Sequence, residues 1–240
     1  MKILVACEES QRVCISFRER GHEAYSCDIQ ECSGGRPEWH ILGDVLEILN
    51  PTFFKDYAGF VERGIQFDTM DGERHVFDKW DLIVAHPPCT YLTNVATRQH
   101  SIKCTPLEKI NSRTVKRIKS MDFFMQFVNA DCDRIAIENP VGVMNTCYRK
   151  PDQIISPYMF AESINDTENY VTKATCLWLK GLPPLVTNSL PKPNNKEPFG
   201  VLPSGKAKTW EDSVCRSGGA EKIRSKTFWG IARAIAEQWG

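Results

Sequence analysis

Short apolar runs that end on reactive residues recur along this chain, and they limit its fold more than any other feature. Ile3 to Ala6 leads into Cys7-Glu8-Glu9, and Ala24 to Cys27 closes on Asp28. Asp81 to Ala85 leads into His86-Pro87-Pro88-Cys89-Thr90, and Arg134 to Ile137 closes on Glu138-Asn139-Pro140. Runs this short, without polar alternation, read as strands buried on both faces. Helical signals separate them. Ser10 stands where a helix cap would, followed by the apolar stripe Val13, Cys14 and Phe17 and the stop Gly21. Leu107 to Val128 carries Ile110, Val115, Ile118, Met121, Phe124 and Met125 near helical spacing. A third short strand is expected to end near Gly43-Asp44-Val45. Strands alternating with helices predict an α/β fold, a Rossmann-like parallel sheet covered on both faces.

The length, 240 residues, suits one large domain or one domain with a small lobe. Asp71-Gly72, between Phe67 and Val76, signals a hairpin inserted ahead of the Asp81–Ala85 strand. Beyond Gly142 the alternation loosens, and Pro151, Pro157, Pro183, Pro184, Pro191, Pro193, Pro198 and Pro203 exclude long helices. The expected organisation is a core over 1–145, a small loop-rich C-terminal lobe over 146–219, and a last helix over 220–240. That helix would pack back on the core through Ile223, Phe228, Ile231, Ile235 and Trp239.

Composition narrows the partners. Lys+Arg and Asp+Glu both total 30, so any nucleic-acid surface must be local. One local candidate exists: Arg98, Lys103, Lys109, Arg113, Lys116, Arg117 and Lys119 follow Cys89 with Glu108 as the only acid among them. The stretch from Lys192 to Lys208 is a weaker second. The ten cysteines form no CxxC pair and have no His-x-His companion, so no metal site is expected. The opening Met1-Lys2-Ile3-Leu4-Val5-Ala6 is too short for a signal peptide, and no stretch approaches a membrane span. Reduced thiols in a cytoplasmic setting are therefore expected.

In doubly wound sheets, ligands bind outside the carboxyl ends of the strands. Cys89, directly after a double proline at such an end, is the candidate nucleophile, and Glu138 is the carboxylic acid that a neighbouring strand brings beside it. A thiol paired with an acid suits attack on a pyrimidine ring. Asp28 stands where ribose hydroxyls are commonly held, because a carboxylate accepts two hydrogen bonds at once. Asp44 is placed for an exocyclic amine. The first turn, Cys7-Glu8-Glu9-Ser10-Gln11, has no glycine and two acids; it would repel a phosphate and suit a cation such as a sulfonium with an ammonium group.

These residues resemble the DNA cytosine-5 methyltransferases, in particular their compact phage and prophage members. The family's nucleophile lies in a Pro-Cys turn after a fourth strand, matched by Pro88-Cys89, and its acid opens a Glu-Asn-Val motif, matched by Glu138-Asn139-Pro140-Val141. The resemblance runs through about residues 1 to 145 and more weakly to Lys226-Thr227-Phe228-Trp229-Gly230. It implies a class I methyltransferase sheet and S-adenosylmethionine as cofactor, held by Glu8, Asp28, Ile29, Asp44, Val45 and Pro88. It also implies double-stranded DNA with a flipped cytosine as substrate, a monomeric protein, and Asn139, Arg98 and Lys173 on the substrate side. Asn139 is expected to brace the Pro-Cys turn, and Lys173 to stand in for the family's arginine. The chain departs from the pattern at the glycine-less first turn and at Thr90, where glutamine is common.

Two other readings stay open. His86-Pro87-Pro88-Cys89 is close to the motif of amino-methyltransferases acting on adenine or on the cytosine amine, but it lacks the leading polar acceptor and the aromatic. A methyltransferase-like fold without its glycine turn would also serve as a non-catalytic nucleic-acid or nucleotide binder, and RNA or free nucleotide would fit the reduced lobe.

Overall fold

A computed structural model describes residues 1–55, 59–94, 101–103, 105–194, 199–206, 208, 210–214 and 220–240. In chain order its elements begin β1 (Lys2–Ala6), α1 (Arg12–Glu19), β2 (Glu23–Asp28), β3 (His40–Leu42), β4 (Thr52–Lys55), β5 (Val61–Asp68), β6 (Arg74–Phe77) and β7 (Leu82–Ala85). They continue α2 (Leu107–Val128), β8 (Ile135–Pro140), α3 (Met144–Cys147), β9 (Gln153–Ile155), β10 (Thr175–Lys180), α4 (Trp210–Val214), α5 (Ala220–Ser225) and α6 (Trp229–Trp239). Seven strands form one sheet in the order β3-β2-β1-β7-β8-β10-β9. The five from β3 to β8 run parallel, and β10 is antiparallel to both its neighbours. From β1 the chain first builds outward to β3, then returns to lay β7 on the other side. The order therefore reverses between β1 and β7, the kind of switch point at which open α/β sheets leave a crevice beyond the carboxyl ends.

Alternation across the pleat explains why the strands are apolar throughout. Leu4, Ala6, Ile83, Ala85, Ile135 and Ile137 face one core with Phe124 and Phe127 of α2 and Trp80. Ile3, Val5, Leu82, Val84 and Ala136 face the other core, with Val13, Cys14 and Phe17 of α1 and Ile231, Ile235 and Trp239 of α6. Each of the larger aliphatic and aromatic side chains among them contributes about 1.5–3 kcal/mol when fully buried. The expected packing of the chain's last helix against the core is thus present in α6, but Ile223, expected to join it, lies in α5 and is 46% exposed.

The hairpin forms as predicted. β5 and β6 pair antiparallel from Ile65↔Phe77 to Asp68↔Arg74, and Gly72 adopts φ 89° in the turn. β4 adds a third strand to this small sheet, which the sequence reading did not foresee.

Four expectations need correction. Ser10 does not cap α1; Gln11 holds that position with φ 60°, and the capping carboxylate comes from Glu8. The last helix is two helices, α5 and α6, separated by 226–228, with Phe228 extended at φ −69° and ψ 141°. Residues 146–219 are not a separate loop-rich lobe throughout, since β9 and β10 complete the central sheet by pairing through β8. Val115 and Ile118 of α2 are not in the core: they are 53% and 60% exposed, and the buried side chains are Phe124 and Phe127. No helix among the described residues is long and apolar enough to cross a membrane.

Candidate active site

The pairing of β7 with β8 ends at Ala85↔Ile137, so the next residues on each strand, His86 and Glu138, emerge side by side. β8 does not stop there as the sequence reading expected: β10 holds it extended to Pro140, through Leu177↔Glu138 and Cys176↔Asn139. Glu138 is therefore fixed on a strand while Pro87, Pro88 and Cys89 turn away beside it. Asn139 ties the two together, its Nδ2 donating to the Pro87 carbonyl at 2.7 Å in a buried bond. That is the brace expected of it.

A second brace lies further along. The Cys89 carbonyl accepts from the Leu92 and Thr93 amides at 2.9 and 3.0 Å, closing a turn. Thr93 then bridges Gly142, and Val143 donates to the Leu92 carbonyl at 2.8 Å. A Cβ at Gly142 would collide with that carbonyl, so only glycine allows the approach. Tyr91 anchors the loop to α2: its carbonyl accepts from Arg117 Nε at 2.9 Å, and its ring lies under Arg113 and Lys116 at 5.1 and 5.8 Å. The basic segment thus packs directly on the Cys89 loop. Arg98 lies outside the described residues.

Electrostatics link the same groups. Burial and the Glu138 charge push the half-buried Cys89 thiol up, while Lys173 and Arg224 oppose them. Burial also favours the protonated form of Glu138, but the bond and charge of His86, with Lys173 and Thr175, outweigh it and hold the carboxyl below its ordinary value. Lys173 Nζ donates to the Arg224 carbonyl at 2.8 Å and sits over Trp210 and Phe228, tying the segment before β10 to α4 and α5. Sequence reading proposed Lys173 for this side of the site; it did not single out His86, Thr175 or Arg224. The proline pair next to His86 was the one available signal.

The β1–β2 side is built differently. Asp28 and Asp44 stand at the ends of β2 and just past β3, each accepting a backbone amide at 3.0 Å, from Gln30 and Leu46. Ile29 is 79% exposed and Pro88 is exposed, so both are open to a ligand. Val45 is packed in the core, so its side chain is not open to a ligand. Glu8 is also spoken for: its two oxygens accept the Val13 and Cys14 amides at 2.8 and 3.2 Å, and burial pushes its carboxyl up to about 7 against His86 and those amides. Its neighbour Glu9 has buried oxygens with no hydrogen-bond partner. The turn holds two left-handed residues, Cys7 at φ 59° and Gln11 at φ 60°. Such backbone costs about 1–3 kcal/mol away from glycine. Gln11 offsets this with its side chain, which bonds the Arg36 backbone at 2.8 and 3.0 Å and Ser26 at 3.2 Å.

Among the described residues, the buried side-chain polar atoms without a partner are both Glu9 oxygens, His86 Nε2, Asn139 Oδ1 and Arg113 Nε. Native buried polar groups are almost always paired. Here the exceptions sit in the first turn, after β7, on β8 and against Tyr91. No group of three or more His, Cys, Asp or Glu among the described residues could hold a metal ion, and the eight described cysteines are free. Neither a protein-family model nor a curated protein sequence matches this chain.

Proposed function

We propose that this protein is a DNA cytosine-5 methyltransferase, with Cys89 as nucleophile, Glu138 as acid and S-adenosylmethionine as methyl donor, acting as a monomer. One observation carries the reading. A thiol and a carboxylic acid lie at the carboxyl ends of adjacent parallel strands, tied by the Asn139–Pro87 bond. The strand order supports it as well, because the crevice beside β1 and β7 is where a doubly wound sheet binds its ligand.

The residues on the β1–β2 side fit the cofactor. Glu9 keeps a buried carboxylate without a partner, which a cationic ammonium or a pair of hydroxyls would satisfy. Asp28 and the exposed Ile29 would take the ribose and base, Asp44 the exocyclic amine, and the Val45 backbone and Pro88 would line the same pocket. Glu8 acts from behind, by holding α1. The cofactor supplies an electrophilic methyl group.

The chain's own residues supply the rest. Carbon 5 of cytosine is a weak nucleophile until carbon 6 is attacked. The Cys89 thiolate adds at carbon 6, and electron density moves through the ring toward its nitrogen and to carbon 5. Glu138 hydrogen-bonds that ring nitrogen and the exocyclic amine, which limits the charge that builds there. Loss of the carbon-5 proton then expels Cys89 and restores the ring. The base must leave the duplex stack, which costs a few kcal/mol. Phosphate contacts from Lys109, Lys116 and Lys119 on the exposed face of α2 would offset this and make binding salt-sensitive.

The test is a DNA duplex carrying 5-fluorocytosine, incubated with S-adenosylmethionine and either wild type or Cys89→Ala. Intact mass should reveal a denaturation-stable adduct with wild type only. Cofactor and DNA binding without any adduct would discard carbon-5 chemistry and favour an amino-methyltransferase or a binding protein.

A further inference from the structure

His86 is the residue of this site that the proposed chemistry does not yet use. It follows β7 directly, and its backbone amide donates to the Ala6 carbonyl at 2.9 Å, which pins it between β1 and β8. Its Nδ1 lies 3.3 Å from Glu138 Oε2, and its side chain is only 9% exposed. Its Nε2 is buried with no partner. The charged groups facing it come from three elements: Glu138 on β8, Glu8 in the turn before α1, and Lys173 ahead of β10. A buried imidazole facing the buried Glu8 and the part-buried Glu138 is a costly arrangement for packing alone, since apolar residues fill such space without unpaired atoms.

We propose that His86 is a positioning residue for Glu138, holding Oε2 through Nδ1–H so that Oε1 is left to the target base, and keeping one proton on the His86–Glu138 pair. This role rests on the cytosine-5 reading of the site. The ring nitrogen of neutral cytosine is an acceptor, so Glu138 must carry a proton when the base is bound. Burial disfavours the imidazolium, but the Glu138 bond and the charges of Glu138 and Glu8 prevail over it and over Lys173, raising the imidazole above its ordinary value. The pair then retains its proton until the pH passes that raised value. Without the imidazole, the last proton leaves the Glu138 carboxyl instead, which has then lost the bond and charge that hold it down.

The experiment is single-turnover methyl transfer to duplex DNA by wild type, His86→Leu and His86→Asn across a range of pH, together with the imidazole titration by NMR in wild type and Glu138→Gln. His86→Leu should lower the rate of transfer about 100-fold, as misplaced catalytic groups do, with little change in KM for DNA. His86→Asn retains a neutral donor near Nδ1 and should recover most of the rate at low pH, with its alkaline fall displaced from that of wild type. Glu138→Gln should lower the imidazole value. If wild type transfers no methyl group at any pH, the reading of the site fails and this role with it. If wild type is active while His86→Leu keeps both rate and pH profile, or the imidazole ignores Glu138→Gln, the role alone is overturned.

Discussion

On the β7–β8 side of the crevice direct bonds join the reacting segments, although His86 Nε2 and Asn139 Oδ1 stay unpaired: Asn139 grips the Pro87 carbonyl, His86 meets Glu138, and Gly142 lets the Cys89 loop rest on the segment after β8. On the β1–β2 side the turn carries two left-handed residues and a buried carboxylate without a partner. The first side is set before any ligand arrives. The second stores strain and unpaired carboxyl oxygens that a ligand can satisfy. Reaction groups need fixed geometry, because small displacements cost large factors in rate. A binding turn can instead take part of its stability from what it binds.

The largest effect should come from loosening the rigid side. Asn139→Ala strands the Pro87 carbonyl in a buried place, which should destabilise the fold by about 2 kcal/mol and slow adduct formation on 5-fluorocytosine DNA about 100-fold. Chemical denaturation and intact mass read the two quantities. Unchanged adduct kinetics would break the idea that pairing on this side serves geometry.

The pH dependence of stability should come next. Glu8 is raised to about 7 from an ordinary 4.5, so the folded state binds its proton more tightly than the unfolded state. Its contribution is fully present below about pH 4.5 and is lost as pH rises through about 7. Glu8→Gln keeps an acceptor for the α1 amides and should abolish that decline, worth a few kcal/mol. Urea unfolding of both proteins at mildly acid and mildly alkaline pH gives the difference; parallel curves would rule the coupling out.

The smallest effect should mark the strained side. Glu9→Gln removes an unpaired buried carboxylate and should stabilise the ligand-free protein by about 1 kcal/mol, seen as a higher Tm. The same change should weaken S-adenosylmethionine binding by calorimetry. A variant that is more stable and binds as tightly as wild type would sink the assignment of Glu9 to the cofactor.

The apolar runs were legible because burial on both faces leaves a one-dimensional mark. β1, β2, β7 and β8 start within one residue of the runs read from the sequence. The hairpin was legible through Asp71-Gly72. The helix cap was not, since Ser10 has the usual chemistry for that place while the cap is supplied by Glu8, whose burial no local pattern reveals. β9 and β10 were missed because proline-rich flanks resemble loops, and their strand character comes from pairing with β8.

The amino-acid sequence by itself determined the α/β alternation and the two strand ends that carry Cys89 and Glu138. The tertiary structure alone decided that His86 meets Glu138, that Glu8 serves a helix while Glu9 stays unpaired, and that β10 extends β8 past the acid. The reason is range. Periodicity reports which residues leave water. The His86–Glu138 and Pro87–Asn139 contacts each join residues 52 positions apart, and only the register of neighbouring strands sets such a meeting.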